Sequence, residues 1–201
     1  MGAPTIEFWF EYGSTYTYLS VARIGELADA AGVDISWRPF LLLPLMKSFG
    51  MEQGPFLPFA AKHRYMWRDL ERRAERHGLP YRRPSHYPPN TLLTARIGML
   101  AARQGWCREF TEKTFHLHWV EDKQIGTETN LLETIAALGR DPEAVFEASQ
   151  HEENKNALRV ATESAQSIGI FGSPSFIVDG ELFWGDDRLG EAFEWALVHH
   201  R

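Results

Sequence analysis

Strand signals in this chain sit at its two ends, and a long helical stretch separates them. Residues 6 to 12 alternate, with Ile6, Phe8, Phe10 and Tyr12 on one side and Glu7, Trp9 and Glu11 on the other. That period of two, together with the aromatic content, predicts a strand. From Thr17 to Ala31 the apolar spacing turns helical through Val21, Ile24, Leu27 and Ala28, and Gly32 is a suitable stop. Val33, Ile35 and Trp37 restore strand character toward Pro39. A strand, a helix and a strand in such close succession imply a parallel pair joined by a right-handed crossover.

At the other end, Ser175-Phe176-Ile177-Val178 and Glu181-Leu182-Phe183-Trp184 flank Asp179-Gly180, a two-residue hairpin signal. A helix from about Arg188 to His199 follows, with Asp186 and Asp187 placed to cap its start. Between the ends the chain changes character. Residues 41 to 57 are rich in Leu, Gly and Pro and read as a loop with room for one short helix. A charged amphipathic helix is expected from Pro58 to His77, stopped by Gly78 and Pro80, before a segment punctuated by Pro84, Pro88 and Pro89. Asn90 is the expected N-cap of a helix ending near Gly105. Further helices read as 107 to 120, 129 to 138, 142 to 149 and 152 to 167, the third opened by the cap-and-first-turn pair Asp141-Pro142. The sum is α/β: a thioredoxin-like fold with a large all-helical insertion. Residues 1 to 43 plus 168 to 201 are expected to form the thioredoxin-like domain, and 44 to 167 the helical insertion domain.

The 201 residues, 44% hydrophobic, suffice for a substantial core. A formal charge of -6 with no basic block argues against nucleic acid as a partner. No apolar run approaches the ~20 residues of a membrane span, and strand character at Ile6 leaves no room for a signal peptide. Cys107 is the only cysteine, so an intrachain disulfide is impossible and a reducing compartment is expected. Together these predict a cytoplasmic protein without a membrane partner. His116 and His118 stand two apart on a helix and point different ways, and no carboxylate and histidine spacing suits zinc, so no metal site is expected.

Glu11-Tyr12-Gly13-Ser14-Thr15-Tyr16-Thr17-Tyr18 carries the first strand into the first helix. Redox enzymes of the thioredoxin type place C-x-x-C at this joint; here Ser14 and Thr17 stand at that spacing. The substitution removes disulfide chemistry and keeps a hydroxyl at a helix N-terminus, where unpaired N–H groups and the helix dipole favour an anion. A thiolate supplied by a ligand is such an anion. Taken alone, Ser14 is better explained as an ordinary helix cap; the loop at Ser173-Pro174 shifts that balance. Gly172-Ser173-Pro174 precedes the hairpin and reads as a cis-proline loop whose open strand edge can pair with an extended peptide. In Trp184-Gly185-Asp186-Asp187, a carboxylate and helix-start N–H groups can bind both ends of an α-amino acid, or simply cap the helix. Lys47 is a candidate for an acidic substrate group. Lys62, Tyr65, Asp69 and Arg72 share a helix face that is either salt-bridged structure or a wall of the cleft. Cys107 reads as packing.

Five segments in register resemble the 2-hydroxychromene-2-carboxylate isomerases of the DsbA-like, kappa-class glutathione transferase group. They are Phe8-Trp9-Phe10-Glu11-Tyr12-Gly13-Ser14, Lys62 to Asp69, Pro89-Asn90-Thr91-Leu92, Gly172 to Phe176 and Leu182 to Leu189. The resemblance implies a glutathione-dependent enzyme in which Ser14 is catalytic and supports the glutathione thiolate. It implies that Gly172, Ser173, Pro174, Trp184, Asp186 and Asp187 bind glutathione, with the two aspartates at its γ-glutamyl end. Lys47, Tyr65 and Asn90 then serve a small aromatic carboxylate substrate, and homodimers, common in that group, join the expectations. The implied reaction is reversible thiolate addition, ring opening, bond rotation and expulsion of the thiolate, giving a trans-benzylidenepyruvate in aromatic catabolism.

Three positions depart from the family pattern: Thr15 replaces a proline, Ser173 a valine, and Met51-Glu52 an asparagine. The last sets a glutamate where an acidic substrate is expected. Three functions therefore remain open: the isomerase, a kappa-type transferase or peroxidase, and a non-catalytic thioredoxin-like peptide-binding module.

Overall fold

A computed structural model describes residues 2–52 and 58–199. Strand β1 (Thr5–Phe10) leads into helix α1 (Thr15–Ala31), which returns the chain to β2 (Asp34–Pro39). Helices α2 (Leu42–Ser48), α3 (Ala60–Arg76), α4 (Leu92–Gln104), α5 (Cys107–Trp119), α6 (Glu128–Ala137), α7 (Pro142–Ser149) and α8 (Glu152–Ser167) follow. The chain then forms β3 (Ser175–Val178), β4 (Glu181–Trp184), a 3-10 turn at Asp186–Arg188 and α9 (Leu189–His199). This is the expected thioredoxin-like fold with helices inserted between β2 and β3. The part of the expected 41 to 57 loop at 53–57 lies outside the described residues.

The sheet order is β2-β1-β3-β4. β1 pairs parallel with β2, Phe8 opposite Trp37, and antiparallel with β3, Phe8 opposite Phe176. The hairpin turns as its sequence demands: Asp179 and Gly180 both take positive φ, at 48° and 83°. Gly32 closes α1 in the left-handed region at φ 65°.

One apolar core joins the sheet to the inserted helices. Ile6, Phe8 and Phe10 of β1 pack in one cluster with Leu19 and Ile24 of α1, Met66 and Leu70 of α3, Ile97 of α4, Phe110 and Phe115 of α5, and Phe193 of α9. The opposite sheet face is covered too. Alternation puts Trp9 on a polar face with Glu7 and Glu11, yet Trp9 is buried against Phe40, Leu45 of α2, Ala165 of α8 and Ile170. Each such side chain contributes about 1.5–3 kcal/mol on leaving water, so both faces of β1 are tied down.

Several helix starts differ from expectation. The cap of α4 is Thr91, not Asn90; the Asn90 side chain instead accepts from the Leu92 N–H at 3.3 Å in a local turn. Asp186 and Asp187 do not cap the last helix, because the 3-10 turn holds them and α9 begins at Leu189. Asp141 caps α7 as expected, accepting from the Ala144 N–H at 3.1 Å. Among the described residues no helix is long and apolar enough to cross a membrane.

Candidate active site

Strand β1 ends where its backbone loses a ladder partner. The Glu11 N–H donates to Ser173 Oγ at 2.9 Å, so a side chain takes over from the sheet. The next turn delivers Ser14 to the N-cap of α1, where its side chain makes no capping bond. Ser14 Oγ donates instead to the Ser173 carbonyl at 2.9 Å, the residue before the cis bond to Pro174. Ser14 thus holds the cap position without capping through its side chain. Ser173 is fixed from three sides, since its Oγ also lies 2.8 Å from buried Thr17 Oγ1. This accounts for a hydroxyl at 173: an apolar side chain would leave the Glu11 N–H without its acceptor.

Glu11, passed over from sequence, is the carboxylate of this corner. The Gly13 N–H donates to its Oε2 at 2.8 Å and the Thr91 hydroxyl to its Oε1 at 2.5 Å. Burial raises its pKa above the ordinary carboxylate value, while these two donors pull the other way. Gly13 permits the arrangement, because a Cβ there would stand 3.1 Å from Glu11 Oε2 and 3.3 Å from Thr91 Cγ2. Sequence carried one clue, a carboxylate on the face opposite the core just before the strand-to-helix joint.

A cavity of about 1090 Å³ opens at this corner. Ser14, Gly172, Ser173, Pro174, Trp184, Asp186, Asp187 and Asn90 all line it, so residues far apart in sequence converge. Trp184 lies over Gly172, with the ring of Phe171 4.8 Å away. Gly172 has to lack a side chain, as a Cβ would sit 2.2 Å from the Trp184 indole nitrogen. The apolar side of the cavity comes from Leu41, Leu42, Leu43, Pro44, Met46 and Met51.

Two expected substrate residues are not brought in. Lys47 does not line the cavity; it is half exposed and lies 4.0 Å from Glu52. In α2 the inward position belongs to Met46, and the next residue turns about 100° away. Tyr65 is also outside the lining, 60% exposed, with its hydroxyl 3.5 Å from Asp69. Helix α3 contributes Lys62, Asp69 and Arg73 instead. Asp69 accepts from the Tyr16 hydroxyl at 3.0 Å and from Arg72 at 3.0 Å, so this face serves both as ion-paired structure and as cavity wall.

Asp186 is 3% exposed and already partnered. Arg73 donates to its Oδ2 through Nε at 3.1 Å and Nη2 at 2.8 Å, and Arg23 Nη2 lies 3.6 Å away. Burial nevertheless outweighs the two guanidiniums and pushes its pKa up to about 6. Arg73 left no local signal in the sequence, because its partner lies 113 positions away.

The DSBA-like thioredoxin domain matches residues 5–196. A 2-hydroxychromene-2-carboxylate isomerase from Sphingobium xenophagum is 28% identical over 186 residues, 92% of this chain and 94% of that protein. Glutathione S-transferase kappa 2 from Caenorhabditis elegans is 27% identical over 206 residues, covering 94% and 90%. The solved structure of a 2-hydroxychromene-2-carboxylate isomerase superposes with TM-score 0.87 at 23% identity, covering 96% of this chain and 94% of that one. The cytosolic disulfide reductase DsbM from Pseudomonas aeruginosa, solved with GSH, gives 0.68 at 19% identity over 96% of each chain. By the match over nearly its whole length, this chain belongs to the DsbA-like thioredoxin domain family.

Proposed function

We propose that this protein is a glutathione-dependent isomerase acting on a small aromatic carboxylate, of the kind named 2-hydroxychromene-2-carboxylate isomerase. The observation that carries this is the Ser14 to Ser173 hydrogen bond beside a cis proline at one end of the cavity. A hydroxyl and the backbone of the cis-proline loop meet there, where a disulfide enzyme of this fold would hold its cysteines; β3 itself is an inner strand, so the open strand edge expected from sequence is replaced by the loop before it. The donor set fits the tripeptide: a hydroxyl for the thiol, the Ser173 backbone for the cysteinyl amide, and charged groups of both signs further along the wall.

The Ser173 carbonyl has two lone pairs, and Ser14 uses one. A cysteinyl N–H pairing with that carbonyl lets the Ser14 hydroxyl turn to the sulfur, which adds a hydrogen bond to the thiolate alone. The N-terminus of α1 points at the same place and favours the charged form further. Bound glutathione would supply a nucleophilic thiolate that adds to the conjugated substrate and leaves again after bond rotation. The leucine and methionine wall excludes water from the ring system, and Lys62 supplies a cation on the α3 side. No metal and no net redox change are required.

The match to a kappa-class transferase supports a second reading, with the same thiol site and a different electrophile. Lys47 lying outside the cavity favours it, since the expected partner of the substrate carboxylate is not in place. Thermal denaturation and isothermal titration with glutathione test both readings. Stabilisation should grow with glutathione concentration by mass action. An unchanged melting temperature and a flat titration would remove both.

A further inference from the structure

The turn after β4 and helix α3 set two opposite charges on one wall of the cavity, each with capacity for a ligand. Asp186 is not one of them. Its Oδ2 takes both Arg73 bonds, and Arg23 adds a second guanidinium 3.6 Å away. One carboxylate between two guanidiniums leaves that group of three with a net positive charge, which disfavours an ammonium beside Asp186 even though its Oδ1 accepts no hydrogen bond among the described residues. Arg73 itself lines the cavity with its side chain 26% exposed. It spends Nε and Nη2 on Asp186, while Nη1 has no hydrogen-bond partner among the described residues. A guanidinium is a fork of five donors that can hold one carboxylate and present a free edge to another.

Asp187 is the complementary group. Its side chain is half exposed and lines the same cavity. Its ion-pair partner is Arg188 at 3.6 Å, which also pairs with Glu191. Gly185 makes the placement possible: at φ 105°, a Cβ would stand 2.6 Å from Asp187 Oδ1. The carboxylate folds back over the turn only because residue 185 has no side chain.

We propose that Arg73, held by Asp186, takes the α-carboxylate of the glutathione γ-glutamyl group, whose ammonium is left to Asp187, the one of the two aspartates that keeps the γ-glutamyl contact implied by the family resemblance. The proposal rests on the glutathione reading above. It reassigns Asp186 from ligand contact to positioning residue, and it brings a side chain of the helical insertion into the thiol ligand's site.

Calorimetric titration with three peptides tests it: glutathione, 4-aminobutanoyl-Cys-Gly lacking the α-carboxylate, and glutaryl-Cys-Gly lacking the ammonium. For the unmodified protein each truncation is expected to weaken binding roughly 10- to 100-fold, the effect of losing a charge-assisted hydrogen bond. Arg73→Gln should weaken glutathione by a similar factor and leave the 4-aminobutanoyl peptide unchanged. Asp187→Asn should show the same coupling to the glutaryl peptide. Asp186→Asn should weaken glutathione selectively; equal weakening of glutathione and the 4-aminobutanoyl peptide would overturn its positioning role.

Equal losses for both ligands in Arg73→Gln, or coupling to the α-carboxylate found in Arg188→Met or Lys62→Met, would overturn the assignment. So would equal affinity of the unmodified protein for glutathione and the 4-aminobutanoyl peptide, a comparison that needs no variant to fold. Glutathione that binds without these couplings defeats this inference alone. Glutathione that does not bind defeats the functional reading as well.

Discussion

Ser14 Oγ and the Ser173 carbonyl, 159 residues apart in sequence, are joined by a hydrogen bond of 2.9 Å at the end of the cavity. Ser14→Ala is expected to change stability little, about 0.5–1.5 kcal/mol. Its effect should appear in the ligand: the bound glutathione thiol should titrate about 1–2 pH units higher than in the unmodified protein. Thiolate absorbance against pH at saturating glutathione measures this. A superimposable titration would leave Ser14 with a purely structural task.

The cations of the cavity predict a reversal of the sequence expectation. Lys62→Met should raise the Michaelis constant for an anionic substrate by about 2- to 5-fold, the range of a partly exposed charge pair. Lys47→Met should leave it unchanged, because Lys47 lies outside the lining beside Glu52. Steady-state kinetics on the two variants decide between them, and an effect of Lys47 larger than that of Lys62 would refute this assignment.

Asp186 sets a pH dependence whose sign is fixed by burial. Its pKa rises from the usual carboxylate value to about 6 on folding, so the folded state binds this proton more tightly than the unfolded chain does. The associated stability is fully present below about pH 4 and is lost as pH rises through 6, a change on the order of 3 kcal/mol. Arg73 and Arg23 face the group and oppose the shift, whereas Asp187 adds to it. Urea denaturation between pH 4 and 7.5 should therefore show a shallower decline in Asp186→Asn than in the unmodified protein. Parallel curves would exclude Asp186 as the source.

Gly98 of α4 faces the hydroxyl of Tyr12, and a Cβ there would stand 2.2 Å from it. Tyr12 is fully buried and hydrogen-bonded to Thr111 at 3.0 Å, so it has nowhere to move. Gly98→Ala should cost about 1–3 kcal/mol as an overpacked core. The urea midpoint reports it, and an unshifted midpoint would show that α4 yields without penalty.

Much of this architecture was written locally. The strands of both ends, the left-handed stop at Gly32, the Asp179-Gly180 turn and the Asp141 cap follow from period and turn chemistry alone. That Ser14, Ser173, Pro174 and Asp187 meet in one cavity was legible because each sits at a joint between elements, where local sequence and fold coincide. The misses share a different cause. Trp9 alternates with glutamates, and only the distant helices α2 and α8 make its face an interior one. Met46 and Lys47 are neighbours, and helix phase decides which of them enters the cavity. Arg73 finds its ion-pair partner in a carboxylate on the far side of the insertion. Pairings of this kind follow from tertiary contact and leave no periodic trace.

The single sulfhydryl of the chain, on Cys107, is 4% exposed, and burial pushes its pKa up to about 12. Hydroxyls, those of Ser14 and Thr17, occupy the joint between β1 and α1. Oxidants in the surroundings thus meet no readily ionised thiol on this polypeptide. On the proposed glutathione dependence, its working rate follows the supply of reduced small thiol around it, and a shift in redox balance reaches it through what it borrows.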